Sequence, residues 1–278
     1  MSSLLSLFNL PYNLRNVNAN VNANVNVINN LTHHCGYILV ATAAIFLVPL
    51  TVQDYFKYLS YGPGGLPYNV LGWLVTSSMR LMSREQLSTR PYHDPELLSS
   101  DEMGFLPSSL PERDSSRPKL GSHPVPQRQL SQLPSVEMRQ RLITRFEAVG
   151  SVAKERRLVD VKRSLFERQH SALFVSENVE WQPIAHQSRG EISHVHAGTD
   201  GSIHAILHPR DCVTVLEKRW GQRHALSGAE SLKRIAGFSI PLNYVLVYAP
   251  RDNAELEVAM AIIKASIQYM TGSREELE

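Results

Sequence analysis

An uncharged apolar run near the N-terminus constrains this chain more than any other feature. Residues 36–52 read "GYILVATAAIFLVPLTV", which is 17 residues without a charge. A membrane-spanning helix needs about 20 predominantly apolar residues, so the run is close to the lower limit. Thirty-five residues precede it, too many for a simple signal peptide. The run predicts a single signal-anchor helix over 36–57; the competing interpretation is a buried core helix.

The segment before this run is of low complexity. Residues 16–30, "NVNANVNANVNVINN", alternate asparagine with small apolar residues. The alternation has the period of a strand, but asparagine is disfavoured in strands. We therefore expect residues 1–35 to form a disordered tail without a function of its own.

Residues 58–134 combine one apolar stretch with a proline-rich connection. Residues 68–84 contain Trp73, Arg80 and Arg84, which suits a helix lying either in the membrane interface or on a globular domain. Residues 85–134 hold eight of the sixteen prolines, which disfavour helices and central strands. This part is predicted to be an extended, wrapping or partly disordered linker.

Residues 135–278 show the pattern of a folded α+β domain. A helix is expected from Ser135 to about 157, and a last helix over 251–272, capped by Asp252 or Asn253 and ended by Gly272. Strands are predicted at 171–176, in a hairpin over 191–207, at 211–218 and at 243–250. The predicted fold class is thus an antiparallel sheet packed by helices, preceded by a single N-terminal transmembrane helix.

Charge and cysteine content exclude several functions. The net charge is +2, and no basic run is interleaved with aromatic residues, so nucleic acid is not an expected partner. Cys35 and Cys212 are the two cysteines, and they lack both the number for a disulfide framework and the spacing of a metal site.

The predicted hairpin carries a cluster of histidines in "EISHVHAGTDGSIHAIL", residues 191–207. His194 and His196 share one face of their strand because side chains alternate. A two-residue loop would turn His204 to the other face. A three-residue loop over 199–201, with Gly201 in the left-handed conformation, would pair His196 with His204 and place all three histidines on one face. We favour the second arrangement.

Spacing alone leaves three interpretations of this cluster open. Three imidazoles on one face can bind a metal ion, although a carboxylate ligand would have to come from Asp200, which lies in the turn. Neutral imidazoles can also act as general bases near neutral pH. Alternatively, the strand is simply polar and its histidines make ordinary hydrogen bonds.

Two further motifs suggest a binding pocket for an anion. "KRWGQRHALSG" at 218–228 and "YAPR" at 248–251 combine aromatic surface, guanidinium groups and an imidazole, with the second motif just before a helix N-terminus. Such groups suit a planar, oxygen-rich anionic ligand. The candidate residues are Trp220, Gln222, Arg223, His224, Tyr248 and Arg251.

These motifs resemble the fungal luciferase family. The resembling segments are "EISHVHAGTDGSIHAIL", "VLEKRWGQRHALSG" and "YVLVYAPRDNAELEVAMAIIKASIQYMTG", which together cover about the last ninety residues in the family's order. An N-terminal apolar anchor followed by a variable region also matches the family's layout.

The resemblance implies a membrane-associated enzyme that oxygenates 3-hydroxyhispidin, a styryl hydroxypyranone, with O2. The products would be caffeylpyruvate and carbon dioxide, with light emission and with no metal or organic cofactor. The acid/base and anion-stabilising set is expected to comprise His194, His196, His204, His224, Arg223 and Arg251. The substrate-binding residues are expected to be Trp220, Gln222 and Tyr248.

Other functions remain compatible with the sequence. A non-luminous homologue would act on a related polyketide, since a shared domain does not fix the substrate. A non-catalytic, membrane-anchored module that binds a small molecule is one alternative, and a histidine-ligated metal dioxygenase is another. The expected location is a single-pass position in a membrane, in the endoplasmic reticulum or another endomembrane.

Overall fold

The protein divides into two compact units, Met1–Phe56 and Lys57–Glu278. The computed structural model describes residues 14–94, 103–231, 234 and 239–277. The second unit contains a sheet and its packing helices, and it also contains the segment before residue 135 that the sequence pattern predicts to be a linker.

A long helix, α1, spans Leu14–Ser60. Among the described residues it is the one helix whose length and composition suit a membrane span, over Val25–Ser60. Such a helix is compatible with an anchor and with a signal sequence, so membrane crossing stays a prediction. Residues 16–30, for which the sequence predicts disorder, lie in the first part of α1, because the helix begins before the apolar run. Adding residues to a nucleated helix costs far less than starting one. Residues 1–13 of the expected tail lie outside the described residues.

The core of the second unit is a six-stranded antiparallel sheet in the order β1-β2-β3-β4-β6-β5. The strands are β1 (Val159–Arg163), β2 (Ser171–Val175), β3 (Glu191–Val195), β4 (Ile203–Ile206), β5 (Gly221–Arg223) and β6 (Tyr244–Val247). Within the described residues, the other α-helices are α2 (Val70–Met79), α3 (Val136–Glu155), α4 (Pro183–Gln187), α5 (Pro209–Glu217) and α6 (Asn253–Thr271). The mixed helix and antiparallel-sheet class is as predicted.

Helix ends follow the local signals in the sequence. The Ser135 hydroxyl accepts a hydrogen bond from the Met138 N–H and so caps α3. The Asp252 carboxylate caps α6 by accepting from the Glu255 N–H. Gly272 ends α6 with a φ of +69°, a conformation that favours glycine.

Helices α3 and α5 pack on one face of the sheet. A Cβ added to Gly150 of α3 would meet Leu173, and one added to Gly221 would meet Val215 of α5. Leu173 pairs with Ser193, and Gly221 and Ile203 both pair with Val247, so Ser193 and Ile203 lie on this face. Side chains alternate along a strand, so the neighbouring residues His194 and His204 lie on the opposite face.

The histidine face is covered by the proline-rich segment. The Gln129 N–H donates to the Asp200 carboxylate at 2.6 Å, and the Gln129 side-chain oxygen accepts from the Ala249 N–H at 2.9 Å. On the opposite face, beside Cys212 of α5, the Tyr92 hydroxyl, which is fully buried, donates to the Leu242 carbonyl at 3.1 Å. The described parts of the segment, 85–94 and 103–134, therefore wrap around the sheet and belong to the folded unit.

The predicted strand at 211–218 is instead part of helix α5. Cys212, Val215 and Leu216 are buried at helical spacing, and His208 caps the helix by accepting from the Arg210 N–H. A short run of alternating apolar residues can satisfy both periods. Pro209 favours the helix, because proline is well tolerated at the first helical position and poorly tolerated in a strand.

Candidate functional site

Strands β3 and β4 form a hairpin that places three histidines on one face. His194 pairs with His204, and the His196 N–H donates to the Ser202 carbonyl. The loop is thus the five residues 197–201, and the predicted three-residue loop pairing His196 with His204 is wrong. The shared face is confirmed, since the register differs by two residues and two residues preserve the alternation.

The Asp200 carboxylate shapes this longer loop. It accepts hydrogen bonds from the N–H and the hydroxyl of Ser202, at 2.9 and 2.8 Å. Gly201 follows with a φ of +74°, as the loop requires. These bonds hold the carboxylate beside His196, whose Nδ1 lies 3.3 Å from it.

A fourth histidine, His224, joins the cluster from the position directly after β5. The ring centroids of His194, His196 and His204 lie 5.0 to 5.4 Å from one another, and His224 lies 5.4 Å from His204. All four side chains are buried. The His204 ring stacks on Tyr244 at a centroid distance of 4.7 Å. The structure therefore brings together the four histidines that the two sequence motifs contain.

A buried carboxylate orients His194. Nδ1 of His194 lies 2.7 Å from the Glu191 carboxylate, which also accepts from the Ser164 hydroxyl and from the Leu165 N–H, each at 2.7 Å. A carboxylate held in this way accepts the Nδ1 proton. We therefore assign the free lone pair of His194 to Nε2.

His196 is oriented by a hydroxyl in the same manner. Its Nδ1 lies 2.9 Å from the Ser202 oxygen, and that hydroxyl already donates its proton to Asp200. The Ser202 oxygen must then accept from His196, which leaves the lone pair on Nε2. This nitrogen lies 3.7 Å from the Glu167 carboxylate.

The other two histidines differ in how their nitrogens are satisfied. Nδ1 of His204 is buried and has no hydrogen-bond partner among the described residues. Nδ1 of His224 accepts from the Leu226 N–H at 3.1 Å, and the ring also bonds to the backbone of Pro124, which can only accept. His224 is fully paired, whereas His204 is not.

Burial keeps the imidazoles of His196, His204 and His224 uncharged. It lowers the pKa of His196 and of His204 well below the usual value, with further lowering from Arg128 and the neighbouring histidines. Burial also lowers the pKa of His224 to about 3, with a contribution from His194. At neutral pH these three rings are therefore uncharged, and His196 and His204 each keep a lone pair that can accept a hydrogen bond or bind a metal ion.

The cluster opens onto a cavity of about 410 Å³, within the range of small-molecule sites. One wall comes from the segment before residue 135. The apolar lining includes Leu66, Val75, Met79, Val125, Phe166, Leu226, Ile240 and Tyr244, and the polar lining includes Gln127, Glu167, Arg168, Arg189 and the four histidines. Arg168 and Arg189 are exposed, so they lie where the cavity meets solvent.

Five of the sequence-predicted site residues do not line this cavity. Arg223 pairs with Val245, and Tyr244 next to it points into the cavity, so alternation turns Arg223 to the opposite face. There its guanidinium lies over the Tyr92 ring at 5.8 Å. Arg251 forms an ion pair with Glu255.

The remaining three residues are held by polar contacts of their own. The Trp220 indole N–H donates to the Pro111 carbonyl at 2.7 Å. The Tyr248 hydroxyl donates to the Gln222 side chain at 2.9 Å, and Gln222 donates to Gln86 at 2.8 Å. The single pocket expected from the motifs at 218–228 and 248–251 is therefore divided. Of the candidate site residues in these motifs, His224 alone lines the histidine cavity.

Sequence reasoning missed several residues of the site. Glu191 lies three residues before His194, and this short spacing is a signal that could have identified it. Phe166 and Glu167 line the cavity from a segment without a motif, and Tyr244 lines it from a position four residues before the "YAPR" motif. Their position depends on contacts between distant parts of the chain, which local patterns do not reveal.

Comparison with known proteins gives a consistent set of relatives. A family model described as a Luciferase domain matches residues 189–266. The chain is 33% identical to the luciferase of Armillaria mellea over 245 residues, which is 84% of this chain and 86% of the relative. It is 29% identical to the luciferase of Neonothopanus nambi over 85% of this chain and 86% of the relative. No solved structure gives a significant match.

Proposed function

Because the chain belongs to the fungal luciferase family, we propose that its histidine cavity is the site of a luciferase-type oxygenation. The proposed reaction joins O2 to an electron-rich hydroxypyranone such as 3-hydroxyhispidin, or to a related polyketide. In this proposal the deprotonated substrate reacts with O2 itself, and no organic cofactor or metal ion takes part.

The observation that carries the proposal is the pair of buried groups Glu191 and His194. The carboxylate holds Nδ1 of His194 at 2.7 Å, so the free Nε2 lone pair belongs to an oriented, cavity-lining base. Removal of the enolic proton of the substrate by this nitrogen produces an electron-rich enolate. Glu191 then stabilises the imidazolium that forms.

A hydrogen-bond donor in the cavity suits the charge that develops after O2 adds. Burial raises the pKa of Tyr244 well above its usual value, as do Glu191 and Glu167. The phenol therefore keeps its proton and can donate to an oxyanion or a peroxide. In this proposal the Tyr244 hydroxyl takes the role that the motifs suggest for Arg223 and Arg251.

The apolar walls suit the styryl arm of such a substrate. Leu66, Val75, Met79 and Phe166 line the cavity, and the exposed guanidinium groups of Arg168 and Arg189 stand at its solvent side. A flat aromatic molecule with an acidic hydroxyl matches this arrangement, because apolar walls bind the ring system and a few polar groups fix its orientation.

Oxygen uptake by the purified full-length protein tests this function. Addition of 3-hydroxyhispidin in air is expected to consume O2 and release CO2, with light emission as a second readout. His194→Gln is expected to lower kcat by about 10²- to 10⁴-fold, the usual contribution of a general base. Glu191→Gln is expected to lower kcat less, because the amide can still accept the Nδ1 hydrogen bond of His194 but the imidazolium loses its carboxylate.

His186→Ala is the matched control, because His186 is exposed and does not line the cavity. It is expected to retain the wild-type rate. Absence of oxygen uptake by the wild-type protein would exclude 3-hydroxyhispidin as substrate. A wild-type rate in His194→Gln would remove this residue from the mechanism.

A further inference from the structure

We infer that His194, His196 and His204 form a binding site for a divalent transition-metal ion of the zinc class. Each residue offers one ring nitrogen, and these three atoms lie within 4.8 Å of one another. All three side chains are buried. Three imidazole nitrogens with one open position are a common donor set for such ions.

The outer hydrogen bonds of the rings match those of metal-binding histidines. Such residues commonly donate their other N–H to a carboxylate or another acceptor, which fixes the tautomer and the ring orientation. Nδ1 of His194 is bound by Glu191 at 2.7 Å, and Nδ1 of His196 by Ser202 at 2.9 Å. The lone pairs of both rings are thus left on Nε2.

His204 supplies a second, independent observation. Its Nδ1 is buried and has no hydrogen-bond partner among the described residues, and its side chain is 3% exposed. Buried polar atoms are seldom left unpaired, and an unpaired one requires an explanation. A cation bound to this Nδ1 would provide the explanation, and it would make the His204 ring the third ligand.

The charges around the cluster favour a cation. The carboxylates of Glu167, Glu191 and Asp200 are all buried close to the rings. Arg128, which binds Glu167, is the buried guanidinium beside them. A divalent cation at neutral imidazoles would interact favourably with the remaining negative charge.

The donor type selects the class of metal. Imidazole nitrogens suit zinc, cobalt, copper and iron, whereas calcium and magnesium prefer oxygen ligands. Zinc–nitrogen bonds of about 2.0–2.1 Å in a tetrahedral site separate the nitrogens by about 3.4 Å. The three nitrogens now lie within 4.8 Å of one another, and rotation of the rings would bring them to this spacing.

Metal binding and the proposed oxygenation require the same lone pair of His194. If the proposed function holds, a bound ion prevents His194 from accepting the substrate proton, and oxygen uptake falls as the site fills. Metal binding itself is measured without substrate. Failure of the oxygenation and failure of the metal site are therefore separate results.

Titration with Co²⁺ tests the site directly. The full-length protein, without a polyhistidine tag, is treated with a chelator, dialysed in detergent and titrated with Co²⁺. One ion is expected to bind per chain, with the intense visible absorption of tetrahedral cobalt, and Zn²⁺ is expected to displace it. Ser202→Ala, which removes only the hydroxyl that orients His196, is expected to weaken binding by about 10- to 100-fold.

Two further variants make the outcome decisive. His204→Ala is expected to abolish the absorption band, while His186→Ala, at an exposed position outside the cavity, is expected to leave it unchanged. If His204→Ala does not fold, Ser202→Ala still reports on the site. Absence of the tetrahedral band in the wild-type protein, or equal affinity in wild type and Ser202→Ala, would overturn the inference.

Discussion

At the scale of single residues, the histidine cluster is unusual because its rings are buried and uncharged. His196, His204 and His224 are each no more than 5% exposed, and burial lowers the pKa of all three. In the unfolded chain these rings recover an ordinary pKa of about 6.5. Folding therefore holds them neutral in a pH range where the unfolded chain binds protons.

This difference predicts a loss of stability in mild acid. A group with a lowered folded-state pKa contributes stability above its unfolded pKa and loses it as pH falls toward the folded one. Below about pH 6.5, each of these histidines is expected to reduce the free energy of unfolding by up to about 1.4 kcal/mol per pH unit. Denaturant titrations of the full-length protein between pH 7.5 and 5 would measure the slope.

A matched pair of variants isolates the contribution of the cluster. His224→Gln removes one buried titrating ring and is expected to reduce the slope, whereas His186→Ala at an exposed position is not. Asp200 and Asp211, whose pKa values are raised by burial, act in the opposite direction. They are present in both variants and cancel in the comparison. An equal slope in the two variants would contradict the prediction.

At the scale of elements, one arginine ties the cover of the cavity to the sheet domain. The buried Arg128 guanidinium donates to the carbonyls of Tyr61 and Pro63 at 3.1 and 2.8 Å. It also makes two bonds to the Glu167 carboxylate, at 2.7 and 3.2 Å. Three stretches of chain that line or flank the cavity therefore meet at one side chain.

We expect Arg128→Met to lower the free energy of unfolding by about 3–5 kcal/mol, because it leaves the Glu167 carboxylate buried without its partner. Arg145→Met is the control, since the Arg145–Glu257 pair is 44% and 62% exposed. Such an exposed pair contributes about 1 kcal/mol or less. Thermal unfolding of both variants measures the difference, and similar shifts in Tm would show that Arg128 does not hold the cover.

At the scale of the whole molecule, the two units meet in sequence at residues 56 and 57. Tyr58 already belongs to the second unit, where it is 1% exposed and its hydroxyl donates to the Pro67 carbonyl at 2.7 Å. The boundary of the folded unit thus falls inside α1, three residues before the helix ends at Ser60.

This boundary predicts different outcomes for two truncations. Since α1 is the predicted membrane anchor, the product that lacks 1–56 is expected in the soluble fraction in folded form, and the full-length protein in the membrane fraction. Removal of 1–60 also deletes Tyr58, and it is expected to destabilise the remaining unit by about 3 kcal/mol or more, as loss of a buried aromatic side chain does. Membrane fractionation and thermal unfolding of the two products would measure these effects.

Retention of the 57–278 product in membranes would show that a second segment binds lipid. Helix α2 is the candidate, because Val70, Leu71 and Leu74 on it are 49% to 61% exposed. Equal stability of the two truncated products would show that Tyr58 does not contribute to the fold.

The sequence by itself determined the features that depend on neighbouring residues. The caps at Ser135, Asp252 and Gly272 are local hydrogen-bond and backbone effects, and they appear where the residue types predict them. The shared face of the hairpin histidines follows from alternation, which survives a change of register by two residues. Family membership likewise follows from motifs in the chain.

The tertiary structure decided which of these residues form one site. Whether Arg223 faces the histidines depends on its pairing with Val245, and the pairing of β5 with β6 is not encoded by local periodicity. The edge strand β1 is polar and β5 has three residues, so neither gives a clear pattern. The cavity wall comes from a proline-rich segment that has little regular structure and is held by buried contacts such as Arg128 with Glu167. Such contacts join positions far apart in the chain, and only the folded arrangement reveals them.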